Sequence, residues 1–178
     1  MTVTTGADKE RSYNGDYMAD GKIAEEKVFE FLERQPQVVG VDDWRDLRIV
    51  HEADVDCAIK TRDGVVTLGE IKSDSHLGQS GNVLFEILRI NHTCQHEKSG
   101  TLGWSLRSPA TFFLYYAPSV GKLYICRADS LRKIFQSYTR KARKNTRLDW
   151  VNTDSIKSTL NVLLPWEICK SIFKVYDL

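Results

Sequence analysis

The chain has 178 residues, 42% of them hydrophobic, which suits one domain with a substantial core. No apolar run approaches the roughly 20 residues needed for a helix to cross a bilayer, and residues 1–10 lack the basic-then-apolar order of a secretory signal, so a cytoplasmic protein is expected. Net charge is only +1, but residues 1–60 carry 8 Lys/Arg against 14 Asp/Glu while residues 61–178 carry 17 against 10, an acidic portion followed by a basic one.

Residues 1–19 are polar, with Gly6 and Gly15 and no sustained period, and are expected to form a flexible arm ahead of a single domain over residues 20–178. A helix is predicted from Asp20, with Ala24, Val28, Phe31 and Leu32 as its apolar stripe and Pro36 beyond its end. Glu25 falls beside that stripe and Glu26 points away. A short strand is expected at residues 47–50, then strands at 54–60 and 65–72 joined by Arg62-Asp63-Gly64. A second helix is predicted over residues 82–97 and a loop carrying Trp104 over 100–109. Strands at 111–117 and 122–126 flank Pro118-Ser119-Val120-Gly121, and Asp129 or Ser130 caps a helix through Leu131, Ile134, Phe135 and Tyr138. Residues 159–164 read as a strand and residues 166–175 as a closing helix after Pro165. The alternation of elements makes an α/β fold. Cys57, Cys94, Cys126 and Cys169 are widely spaced with no CxxC pair, as expected of reduced structural thiols.

The chemistry concentrates in the predicted hairpin. Glu70 and Lys72 share one strand face with Ile71 on the other, and Asp54 and Asp56 share a face opposite Val55, Cys57 and Ile59. A three-residue turn with Gly64 in the left-handed conformation sets Asp56 against Glu70; a two-residue Asp63-Gly64 turn would shift the register by one and separate them. The three-residue turn is preferred because it also gathers Val55, Cys57, Ile59 and Ile71 on one apolar face. Two carboxylates about 5 Å apart at their Cβ atoms call for a cation between them. Magnesium, held by Asp56, Glu70 and the backbone carbonyl of Ile71, suits that donor set, and manganese is expected to substitute. Lys72 would then stand near a scissile phosphate, so the pattern points to phosphodiester hydrolysis. Asp56 is favoured over Asp54 as ligand, since Asp54 would stand opposite Lys72 as a plain salt bridge. The bland reading is a solvent-facing ladder of charges on an ordinary hairpin.

Three segments together, Gly21-Lys22-Ile23-Ala24-Glu25, Ala53-Asp54-Val55-Asp56 followed by Cys57-Ala58-Ile59, and Leu68-Gly69-Glu70-Ile71-Lys72, resemble the PD-(D/E)xK nuclease superfamily, including Holliday junction resolvase-like members. Val55 stands where a proline precedes the aspartate in the motif's name. The resemblance implies a restriction-endonuclease-like core, a central mixed β-sheet flanked by helices. It also implies Asp56 and Glu70 as metal ligands, Lys72 as catalytic lysine and Glu25 as an outer metal-linked carboxylate. More loosely, residues 82–86, Gly103-Trp104 and residues 112–116 are similar to phage and mobile-element members.

Other signals weigh less. His92, Cys94 and His96 crowd together, but their side chains would diverge on a helix and no second ligand pair follows at zinc-finger spacing. His51 and His76 flank the hairpin and read as surface histidines. Glu86 is expected to pair with Arg89 on a helix surface. Arg140, Arg143, Lys144 and Arg147 recur at helical spacing, with Lys141 beside them. In a continuing helix they form a basic stripe suited to nucleic-acid phosphates, although such runs are commonly just solvated. The expected partner is double-stranded or branched DNA, bound by a homodimer. RNA as substrate and a catalytically silent binding or assembly protein are the competing readings.

Overall fold

The computed structural model describes residues 10–47, 53–74, 77–91, 99–141, 148–152 and 157–178. Helix α1 (Glu10–Glu33) buries Ala24, Val28 and Leu32, spaced four apart, against a sheet. It begins well before the predicted start at Asp20. No proline interrupts residues 10–20, and once the buried stripe nucleates the helix, propagation through Gly15 costs only about 1 kcal/mol. Residues 1–9 of the predicted arm lie outside the described residues.

Strands β1 (Val38–Asp43), β2 (Cys57–Thr61) and β3 (Val66–Ser73) follow. The first strand is therefore Val38–Asp43 and not residues 47–50: Leu47 is in no strand, and residues 48–50 lie outside the described residues. The predicted strand over residues 54–60 begins three residues late, because Asp54 takes the left-handed conformation (φ 54°) that a strand excludes.

The predicted helix over residues 82–97 is corrected. A short helix α2 (Leu77–Ser80) leads into strand β4 (Asn82–Asn91), and residues 92–97 lie outside the described residues. A continuous apolar run cannot distinguish strand from helix by period. Pairing decides it, because β4 is hydrogen-bonded on both sides, to β5 (Ser99–Leu102) and to β9 (Lys157–Pro165). The expected loop at 100–109 likewise holds the end of β5 and a one-turn helix α3 (Trp104–Arg107).

Strands β6 (Phe112–Ala117) and β7 (Lys122–Arg127) and helix α4 (Ala128–Lys141) match their predicted positions. The predicted continuation of that helix along the basic stripe falls on residues 142–147, which lie outside the described residues, Arg143, Lys144 and Arg147 among them; β8 (Leu148–Asn152) then pairs with β9. The closing helix is reduced to α5 (Trp166–Cys169) and a 3-10 turn (Lys170–Ile172). The chain then extends into β10 (Lys174–Asp177), where it completes the sheet edge beside β7.

The large sheet runs β1-β2-β3-β6-β7-β10, with β3 and β6 parallel and the other pairs antiparallel; the second sheet runs β5-β4-β9-β8. The fold is thus α/β with a mixed central sheet flanked by helices. Both faces of the large sheet are covered, so its central strand β6 is apolar throughout. Leu114 and Tyr116 join the α1 core, whereas Phe113 and Tyr115 join a second core with Phe85, Trp104, Leu131, Val162 and Leu164. Cys57, Cys126 and Cys169 are free and buried, and Cys94 lies outside the described residues.

Phe85, fully buried and stacked on Phe135 at 4.4 Å between ring centroids, is the anchor of β4 in that second core. Phe85→Ala is expected to cost about 3–5 kcal/mol, read as a lower urea midpoint with an unchanged slope.

Candidate active site

The β2–β3 turn has three residues. Thr61 N–H donates to Val65 O at 3.0 Å, Gly64 N–H to Thr61 O at 2.9 Å, and Gly64 sits at φ +80°, where only glycine is comfortable. The register that follows pairs Lys60 with Val66 and Cys57 with Gly69. One step further the regular ladder ends, but Asp56 keeps its place beside β3. Its N–H donates to Gly69 O at 2.9 Å, and its carboxylate accepts the Ile71 N–H at 2.7 Å.

Ile71 belongs to the α1 core. Alternation therefore sends Glu70 and Lys72 to the opposite face, toward Phe113, Tyr115 and Trp104. Glu70 is 1% exposed, its Oε1 paired with the Lys72 ammonium and its Oε2 buried without a hydrogen-bond partner among the described residues. Burial pushes the Glu70 carboxyl up to about 7; the Lys72 charge opposes this and the Asp56 and Asp54 charges add to it. At Lys72 burial disfavours the ammonium, but Glu70, Asp56 and Asp54 outweigh it and the net shift is upward. Lys72 is thus a cation at neutral pH, and Asp54, Asp56, Glu70 and Lys72 form one electrostatic group.

Asp54 does not stand opposite Lys72 as a plain salt bridge. Its left-handed backbone turns its carboxylate to Arg107, whose Nε donates at 2.7 Å and whose Nη2 makes a second contact, while Arg89 approaches at 4.0 Å. Ser108 Oγ donates to the Asp54 carbonyl. Glu86 does pair with Arg89, at 3.3 Å, but on strand β4 and only 6% exposed rather than on a helix surface.

Glu25 stands apart from this group. Helix α1 packs on the other face of the sheet, and Glu25 accepts a 2.7 Å hydrogen bond from Arg45, which also grips Asp43. The link to the site runs through backbone: Trp44 N–H donates to Asp56 O at 2.9 Å. Of the basic stripe, Arg140 is exposed near the end of α4. His51, His76, His92, Cys94 and His96 lie outside the described residues.

Arg107 and Arg45 were not singled out from sequence. Each makes its contact across a long stretch of chain, 53 residues for Arg107 to Asp54 and 20 for Arg45 to Glu25, and no local pattern announces either.

Asp56, Glu70 and the Ile71 carbonyl are the oxygens here that could hold a magnesium ion whose shell waters and a phosphate would complete. Among the described residues no three His, Cys, Asp or Glu side chains converge as a fuller metal cluster. No protein-family model and no curated protein matches this chain. A solved structure that is similar is that of a bacterial homing endonuclease, I-Ssp6803I, at 16% identity over 65% of this chain and 72% of that one, with a TM-score of 0.48. At that identity and score the likeness carries no weight for function, which rests on the geometry.

The raised Glu70 carboxyl sets a pH dependence. Its folded value of about 7 exceeds the ordinary 4.5, so between these the folded chain holds a proton that the unfolded chain has released. Stability should therefore fall as pH rises from 5 to 8, by at most about 3 kcal/mol, or several degrees of Tm. Glu70→Gln should flatten this slope in metal-free thermal melts.

Proposed function

We propose that this protein is a magnesium-dependent endonuclease that hydrolyses phosphodiester bonds of DNA through Asp56, Glu70 and Lys72. The observation that carries the reading is the Glu70 carboxylate: nearly fully buried, one oxygen without a partner among the described residues, and within reach of the charge of the Asp56 carboxylate. A buried orphan acceptor is costly and rare unless something occupies it. A divalent ion fits, since it would satisfy Glu70 Oε2 and neutralise the like charge of Asp56 together.

Asp56 and Glu70 would hold the ion with the Ile71 carbonyl, and Glu25 would stand further out, engaged by Arg45. When bound, magnesium or manganese supplies Lewis-acid polarisation of the phosphoryl group and a more acidic water. The remaining roles belong to side chains. Lys72 is protonated, so it is no general base; its ammonium donates to the attacked phosphate and offsets charge developing on the phosphoryl oxygens. Water attacks phosphorus and releases a proton to solvent, the P–O ester bond breaks, and the leaving oxygen takes a proton from solvent.

Arg140 and Lys141, together with Arg143, Lys144 and Arg147, supply cations that bind backbone phosphate without reading sequence. Cutting both strands of a duplex would use two copies of the site, hence a homodimer. No helix among the described residues is long and apolar enough to cross a membrane.

The test incubates wild type, Asp56→Asn, Glu70→Gln and Lys72→Met with supercoiled plasmid, branched DNA and RNA, in magnesium, manganese or chelator. Metal-dependent DNA cutting is expected in wild type. It should be lost in the two carboxylate variants and lowered about 10²- to 10³-fold in Lys72→Met. Cutting of RNA alone would reassign the substrate. Absence of both cutting and magnesium binding would leave the silent binding protein.

A second measurement needs no substrate. Magnesium should raise the Tm of wild type at pH 8 by linkage, and should leave Glu70→Gln unmoved.

A further inference from the structure

Lys72 ends in a flexible four-carbon stem, and a catalytic ammonium must be held in place to act. One of its contacts is Glu70. The other is the face of Trp104, with Nζ 5.0 Å from the ring centroid. Trp104 is 3% exposed and locked by its own neighbours, set edge-on to Phe113 at 5.0 Å and tilted against Tyr115 at 5.9 Å.

Its backbone is held as firmly. Trp104 N–H donates to the buried Glu86 carboxylate at 3.3 Å, Glu86 N–H donates to Ser105 Oγ at 3.0 Å, and Gly103 N–H donates to Ile87 O at 3.0 Å. The approach is so close that a Cβ at Gly103 would lie 2.4 Å from the Glu86 carbonyl oxygen, which admits only glycine. Arg132 ties the far side of α3 down by donating to the carbonyls of Ser105 and Ser108. Arg89 closes the network, its guanidinium between Glu86 at 3.3 Å and Asp54 at 4.0 Å.

We infer that Trp104, anchored by the buried Glu86, is a positioning residue that holds the Lys72 ammonium over its indole face. For its catalytic consequence the inference rests on the nuclease reading. The indole offers the strongest cation-binding face among the aromatic side chains, and here it is desolvated. It gives the lysine a second fixed contact that does not compete with Glu70 for a proton.

Two measurements test it. The first compares tryptophan emission of wild type with Lys72→Met, each with and without Trp104→Phe. Removing the ammonium should change the spectrum where Trp104 is present and leave it unchanged in the Trp104→Phe background. The second measures kcat, KM and magnesium affinity on DNA. Trp104→Leu should lower kcat about 100-fold with KM and magnesium affinity within about twofold of wild type. Trp104→Phe, which keeps a ring face, should recover most of the loss. An emission spectrum indifferent to Lys72→Met, or a folded Trp104→Leu with wild-type kcat, overturns the inference. If Trp104→Leu does not fold, the emission cycle decides. Absence of cleavage by wild type overturns the nuclease reading, whereas the emission cycle judges the contact independently.

Discussion

The register of one hairpin governs the rest of the molecule. Side chains alternate along a strand, so a slip of one residue between β2 and β3 would exchange the two faces. The three-residue turn closed by Gly64 fixes the pairing of Cys57 with Gly69 and Lys60 with Val66. Cys57, Ile59 and Ile71 thereby meet Ala24, Val28 and Leu32 of α1, and Glu70 and Lys72 are driven to the other side. The hydrophobic effect and the turn agree on one register, and the chemistry of the site is its by-product. Burial of the Ile71 face obliges Glu70 to point into the second core, where a carboxylate is least welcome.

Consistency of this kind made the hairpin legible from sequence. The apolar face selected the same turn that the glycine allows. Strands β6 and β7 and helix α4 were legible for similar reasons, each having a clear period and a turn or cap at its boundary. Where the reading failed, the missing information was long-range. Residues 82–91 carry a run that is apolar on both phases, and pairing with β5 and with the distant β9 makes it a strand. Residues 174–177 become a strand because β7 offers an open edge. At the site, the roles of Asp54 and Arg107 depend on a left-handed backbone and a contact across 53 residues, neither of which leaves a periodic trace.

The charges around the hairpin do not balance locally. Among the described residues Asp54, Asp56, Glu70 and Glu86 face Lys72, Arg89 and Arg107, four carboxylates against three cations. Asp54 and Glu86 are well served by arginines, and Asp56 by the Ile71 N–H. The deficit falls on Glu70, the most buried of them, whose carboxyl is pushed up to about 7 despite the lysine against it.

Such a deficit is a poor way to build stability. A buried ion pair at this position contributes little or nothing relative to apolar side chains of similar volume. Here even the pair is incomplete, since Glu70 Oε2 has no partner among the described residues. The neighbouring contacts hold the arrangement in place rather than relieve it: Trp104 stiffens Lys72, Arg107 pins the turn before Asp56, and Glu86 anchors Trp104 from beneath. Buried polar groups left unsatisfied in an otherwise consistent fold tend to mark functional sites. On the proposed reading, one divalent cation would settle the surplus negative charge of both Asp56 and Glu70, and the lysine held beside them would supply what a phosphate, but not the cation, requires.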